Sequence, residues 1–179
     1  PPRSTLFPYT TLFRSRKHTM PTLRPIIPSD RPWLRQWMTD HWGAEWMIVH
    51  GEHTYPAEHP GFAAFEGENV VGLITYVIRS GECEILSLDS LVEGRGIGSA
   101  LVESVRMVAL QSRVRRLWLV TTNDNLNALR FYQKRGFQLV KIYRRAAEES
   151  RKIKPSIPLI GNFGIPIRDE IELEMLLDD

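Results

Sequence analysis

The chain has 179 residues, with 23 basic against 21 acidic side chains and a single cysteine. That length carries one domain with a sizeable core and is short for two. One cysteine excludes an internal disulfide, no apolar run reaches the roughly 18 residues of a membrane span, and the near balance of charge points away from nucleic acid and anionic membrane as partners. Residues 1–19 read as a segment apart. Within them Thr5 to Ser15, TLFPYTTLFRS, resembles the translated text of a widely used sequencing adapter, and a coherent pattern begins at Met20-Pro21. The segment is acid-free and carries Arg3, Arg14, Arg16 and Lys17, as a transit peptide does, while Pro8, Thr10 and Thr11 interrupt the apolar core a secretory signal needs. Taken as a non-native leader, its removal leaves 19 basic residues against 21 acidic ones, a net charge of −2. The expected domain is residues 20–179, in a reducing cytoplasm.

Thr22 to Ile26 reads as a first strand, and Ser29 or Asp30 caps a helix through about His41 with Pro32 in its first turn. Trp33 and Trp37 lie one turn apart on that helix, with Trp42 and Trp46 after it, a stripe that suits a core. His50, Glu52, His53, Glu58 and His59 crowd one segment, but without thiols or a helical His-x-x-x-His pair no metal site is expected, and the segment reads as a solvated loop at a pocket mouth. Phe62–Phe65 and Val70–Arg79 form a hairpin around Glu66-Gly67-Glu68-Asn69, and Ser80-Gly81 turns into a strand, Glu82 to Leu88, with Cys83 as a small apolar residue within it. Later elements are a helix of about 15 residues with Ile97, Ala100, Leu101, Val105 and Val108 on one face, a strand at Arg116–Thr122, a strand at Gln138–Tyr143, and a polar helix at Ala146–Lys154. A loop with Pro155, Pro158 and Pro166 leads to Ile171–Leu176, which alternates and closes the sheet.

Between the strand and the long helix stands Glu93-Gly94-Arg95-Gly96-Ile97-Gly98-Ser99. Alternating glycines let the backbone turn sharply and aim several amide N–H groups at one point at a helix N-terminus, which favours an anion. A dinucleotide fingerprint needs G-x-G-x-x-G and a carboxylate ending the next strand, whereas here the spacing is G-x-G-x-G and the next strand ends in Thr121-Thr122-Asn123. No Gly-Lys-Ser or Gly-Lys-Thr of a Walker loop occurs.

Leu88 to Leu101 resembles the pyrophosphate-binding motif of the GNAT acetyltransferase superfamily, and Leu117 to Phe137 resembles its second motif, a strand, then N-x-x-A-x-x-x-Y at Asn125, Ala128 and Tyr132, and a closing Gly136-Phe137. One departure is Glu93, where the family usually has Arg or Gln; Arg95, two residues on, offsets a carboxylate beside pyrophosphate. The resemblance implies an α/β (α+β) GNAT fold, a mixed, mostly antiparallel twisted sheet of about seven strands flanked by helices, with a splayed strand pair holding acyl-CoA. It implies acetyl-CoA as donor, held by Leu86, Leu88, Gly94, Arg95, Gly96, Ile97, Gly98, Ser99, Asn125 and Tyr132, and a small-molecule amine as acceptor, and it leaves a homodimer open. The family's carbonyl-polarising backbone N–H falls near Leu86 to Leu88, and Tyr132 takes the place of its proton donor to the leaving thiolate.

A lysine-like amine, with a pKa of about 10.4, also needs a proton acceptor. Carboxylates on a mainly apolar strand are costly unless they face water or serve a purpose, which makes Glu84 the first candidate, Glu82 on the same face the second and Asp89 the third. Family members that acetylate ribosomal-protein N-termini usually carry a glutamate in the second-motif strand, where this chain has Val120, and the closing segment Ile157 to Glu174 resembles unassigned bacterial GNATs. The expectation is an N-acetyltransferase acting on a small primary amine. A non-catalytic acyl-CoA-binding module and a peptide or protein acetyltransferase stand as alternatives.

Overall fold

The computed structural model describes residues 21–49, 51–92 and 94–177. Residues 1–19, read from the sequence as a leader, lie outside the described residues, as do Met20, His50, Glu93, Asp178 and Asp179. Strand β1 (Thr22–Pro25) leads through a 3-10 turn at Pro28–Asp30 into helix α1 (Arg31–Trp42). Pro32 sits in the first turn, where its missing N–H has no intrahelical role, and Gly43 ends the helix in the left-handed conformation at φ 75°. Asp30 stands at the helix start as expected, but its carboxylate bonds elsewhere. It accepts from two Arg24 guanidinium nitrogens at 2.6 and 2.9 Å, from the Ile27 amide at 2.9 Å and from the Trp33 indole at 2.9 Å. The Arg24 hydrogen bonds outweigh burial and hold the Asp30 carboxyl well below the usual carboxylate range.

Strands β2 (Met47–Val49) and β3 (Glu52–Thr54) form a small separate hairpin. β4 (Gly61–Glu66) and β5 (Asn69–Arg79) pair across Gly67-Glu68, and Ser80-Gly81, both at positive φ, make the two-residue turn into β6 (Glu82–Ser90). The chain continues through α2 (Ile97–Gln111), β7 (Arg116–Thr122), α3 (Leu126–Gln133), β8 (Gln138–Tyr143), α4 (Ala146–Ile153) and β9 (Glu170–Leu176).

The seven-stranded sheet runs β1-β4-β5-β6-β7-β9-β8, antiparallel at every junction except β6 with β7. This is the expected mixed α/β sheet, with one correction. β9 does not close it: β9 inserts between β7 and β8, and β8 is the edge. Both faces of β9 are covered, Leu173 by the core and Glu172 by Arg116 and Tyr143, whereas Leu139, Val140 and Ile142 of β8 stay exposed.

α2 and α3 cover one face of the sheet, packing on Ile74, Cys83, Ile85, Leu117, Leu119 and Leu173. α1 covers the other, over Ala63 and Leu73. α2 buries Ile97, Leu101, Val102, Val105 and Ala109, so its stripe is rotated from the expected one and leaves Ala100 and Val108 half-buried on the flank. Each large side chain fully buried this way contributes about 1.5–3 kcal/mol. The tryptophan stripe is only partly core. Trp37 is buried, Trp33 meets Phe65 edge-on at 6.3 Å, Trp42 is exposed, and Trp46 stacks on His53 at 4.4 Å. Glu58 pairs with Arg35 at 2.7 Å, and among the described residues no group of His, Cys, Asp and Glu is placed to hold a metal ion. No described helix is long and apolar enough to cross a membrane.

Candidate active site

The parallel ladder between β6 and β7 has three pairs, Glu82 with Arg116, Cys83 with Leu117 and Glu84 with Trp118, and then stops. Beyond it β7 stays with β9 to Thr122 while β6 stays with β5 to Ser90, so the two parallel strands part. A bulge falls at the same point: Ile85 faces Tyr76 and Ser87 faces Thr75, which leaves Leu86 with no opposite residue on β5. The extra residue changes which side chains point toward α1. Ahead of it these are Glu82 and Glu84; after it they are Ser87, whose hydroxyl lies 2.7 Å from that of Thr75, and Asp89. Asp89 accepts the indole N–H groups of Trp37 and Trp42 on one oxygen, each at 3.0 Å.

On the α2–α3 side of the opening lies a cleft of about 690 Å³, lined by Leu88, Gly94, Gly96, Ile97, Gly98, Ser99, Asn125 and Tyr132. Gly96 is the N-cap of α2 at φ 74°, a conformation L side chains rarely adopt, and it places the helix's first amides at the cleft. At Gly98 the demand is space, since a Cβ there would stand 3.2 Å from the Phe131 ring. Arg95 is placed differently from expectation. Its side chain pairs with Glu66 at the β4–β5 turn and does not line the cleft, because the opposite charge of Glu66 lies within reach of the loop. Positive charge comes instead from Arg130, Lys134 and Arg135 on and after α3. Arg135 lies 3.4 Å over the Phe131 ring and donates to the Ser99 hydroxyl at 3.0 Å from Nε. The sequence reading did not single out this trio; the basic run just ahead of Gly136-Phe137 was its signal.

Tyr132 is buried in the same cleft, edge-on to Phe131 at 5.0 Å and to Phe137 at 5.2 Å. Burial pushes its pKa well above the ordinary phenol value and the Asp89 charge adds to this, with Arg135 opposing, so it holds its proton through the neutral range. Asn125 caps α3, its side-chain oxygen accepting the Ala128 amide at 3.2 Å. The cap leaves its amide nitrogen to reach a ligand.

A second cleft of about 380 Å³ opens on the α1–α4 side, and its lining includes Trp42, Glu84, Leu86, Val120, Lys154 and Ile157. Asn125 borders both clefts, and Leu86 lines the second rather than the first, so they meet where β6 and β7 part. Of the three candidate carboxylates only Glu84 lines either cleft. It is 2% exposed, with Arg79 at 3.0 Å offsetting the burial of its charge. Glu82 pairs with Arg116 at 3.1 Å, in a cluster where Arg116 also meets Glu172 and Glu174. Burial opposes the charge of that guanidinium, and the hydrogen bonds to the three glutamates outweigh it and raise its pKa.

Comparison with known proteins agrees with this geometry. Residues 26–137 match the family model described as the acetyltransferase (GNAT) family. The chain is 41% identical over 157 residues to the uncharacterized protein YdhI of Bacillus subtilis strain 168, covering 86% of this chain and 98% of that one. Its fold is similar to that of the IAA acetyltransferase from Bacillus cereus ATCC 14579, with a TM-score of 0.64 at 22% identity over 88% of this chain and 99% of the other. It is also similar to a GNAT family acetyltransferase from Elizabethkingia anophelis with acetyl-CoA bound, at a TM-score of 0.62 and 21% identity over 88% and 98% of the two chains. The matched segment takes in the glycine loop, the parted strands and Tyr132, and the chain belongs to the GNAT acetyltransferase family.

Proposed function

We propose that this chain transfers an acetyl group from acetyl-CoA to the primary amine of a small molecule by direct attack. The observation that carries the reading is the opening between β6 and β7, where a cleft with amides and cations suited to a pyrophosphate meets a second cleft holding a buried carboxylate. Gly96, Gly98 and Ser99 at the start of α2, with Arg130, Lys134 and Arg135, would hold the donor's phosphates. Leu88 and the Asn125 amide would flank its arm.

Glu84 accepts a proton from the incoming amine as nitrogen bonds to the acetyl carbon. The N–H of the bulged Leu86 region would serve the acetyl carbonyl, since Leu86 has no opposite residue on β5 and lies past the end of the β6–β7 ladder. Tyr132 donates a hydrogen bond to the departing sulfur as the carbon–sulfur bond breaks. Its raised pKa makes full proton transfer to an ordinary thiolate, of pKa about 8.5, uphill, so its principal contribution is to stabilise the developing charge.

The second cleft is walled by the end of α1, by α4 and by residues 156–158, which suits a small molecule better than an extended peptide. Val120 lines that cleft and adds no carboxylate to it. A purely binding module has no use for a buried glutamate and a buried phenol on opposite sides of one opening. The test is thiol release from acetyl-CoA across a panel of small amines and N-terminal peptides. Release with small amines supports the reading; release with peptides alone, or acetyl-CoA binding without release under any acceptor, overturns it.

A further inference from the structure

Lys154 ends α4 and its ammonium borders the second cleft. Nζ donates to the Trp46 carbonyl at 3.1 Å and lies 3.4 Å from the Trp42 carbonyl, with the Trp46 ring centroid at 5.0 Å. Among the described residues no carboxylate pairs with it, although Glu84 and Glu170 line the same cleft. Those two are engaged elsewhere, Glu84 with Arg79 and Glu170 with the Ser150 hydroxyl at 3.2 Å. Burial alone pulls the Lys154 ammonium below its ordinary pKa, and no neighbouring carboxylate holds it up. An ammonium has three donors, of which the two carbonyls take two. What remains is one N–H and one positive charge that lacks a carboxylate partner, beside an apolar wall of Trp42, Met47, Leu86, Val120 and Ile157.

Resting on the acetyl-transfer reading, we infer that Lys154 is the specificity residue of the acceptor cleft and pairs with a carboxylate carried by the substrate, so that the acceptor is an apolar amino acid or a closely similar amino carboxylate. A single charge with a single spare donor suits a monoanion; a phosphate would call for several donors. A polyamine would bring more positive charge against a cation already lacking a partner. The amine end of such a substrate lies toward Glu84 and the opening, and the carboxylate end toward α4.

The experiment compares leucine, methionine and phenylalanine with their C-terminal amides, and with spermidine, in thiol release by the full chain and by Lys154→Gln and Lys154→Arg. Gln keeps a donor for the Trp46 carbonyl and removes the charge; Arg keeps both. The expected result is at least a tenfold preference of the parent for acid over amide in kcat/KM, expressed in KM, retained in the Arg variant and lost in the Gln variant. Referring each kcat/KM to the concentration of free amine removes the difference in basicity between acid and amide in the parent, and comparing ratios between proteins cancels what is left. An unchanged ratio in Lys154→Gln, or a parent that prefers amides or spermidine, overturns the inference. If no acceptor yields thiol, the acetyl-transfer reading fails by itself, and calorimetry of N-acetylphenylalanine against its amide on CoA-saturated protein still decides. Tighter binding of the acid that Lys154→Gln abolishes upholds the anion site, and equal binding sinks it.

Discussion

Tyr132 and Glu84 stand on opposite sides of one gap, and their substitutions should fail in different ways. Tyr132→Phe keeps the ring that packs on Phe131 and Phe137 and removes one hydrogen bond to a developing charge, worth about 1.5–3 kcal/mol, so kcat should fall about 10- to 100-fold with the acetyl-CoA Kd nearly unchanged. Glu84→Gln removes a proton acceptor, and its deficit should shrink as pH rises toward the acceptor amine's own pKa, where free amine needs no base. Rate profiles between pH 7 and 10 separate the two, since alkali cannot replace the Tyr132 donor. A Glu84→Gln deficit independent of pH would show that the carboxylate only positions substrate. The sequence pointed to both positions, Tyr132 from its place in the asparagine-to-tyrosine motif and Glu84 as a carboxylate on an apolar strand, and the structure sets each at one of the two clefts. The environment of Asp89 was not, because counting by twos fails across a bulge: with Leu86 as an extra residue, Asp89 comes round to the face of α1 and is taken up by two indoles.

Among the elements, the loop and start of α2 concern binding, whereas the joint between β1 and α1 concerns stability. Gly96→Val puts a β-branched side chain at φ 74°, with no atom of the described residues other than its chain neighbours within 4 Å of its Cβ, so the obstruction falls on whatever approaches the helix N-terminus. Calorimetry should show CoA binding weakened at least 100-fold, an order-of-magnitude expectation for losing close backbone approach, with a stability cost of only about 1–2 kcal/mol. Asp30→Ala should leave the CoA Kd unchanged and cost about 2–3 kcal/mol by orphaning Arg24, the Ile27 amide and the Trp33 indole. Because the folded-state pKa of Asp30 lies below its unfolded value, that contribution is complete above about pH 4 and is lost as pH falls further. Denaturation curves of parent and variant should therefore draw together as pH falls from 4 toward 2; a gap of unchanged size across that range would show that packing, not charge, accounts for it. Period and turn residues were enough to read some element boundaries: β7 and β8 begin and end where expected, and α2 has the expected 15 residues, whereas the short β2–β3 hairpin and the turn at Pro56–Glu58 occupy a segment that read as a loop. Strand order was less legible, since alternation in Glu170–Leu176 says that one face is apolar and nothing of which neighbours it takes.

For the molecule as a whole, the pairing of β6 with β5 on one side and briefly with β7 on the other puts Cys83, the chain's single cysteine, at the centre of the sheet. It is fully buried, and burial together with the Glu84 charge pushes its thiol up to about 12. The folded protein thus presents no reactive thiol, and an assay that titrates released CoA with a disulfide reagent runs against a silent background. The same residue is a built-in reporter of opening, since it can be labelled only when the central strands separate. Acetyl-CoA at 100 times its Kd should add about 2.7 kcal/mol to global stability and slow labelling about 100-fold. Labelling that is fast without ligand and indifferent to it would mean that β6 opens locally, with the CoA cleft left intact.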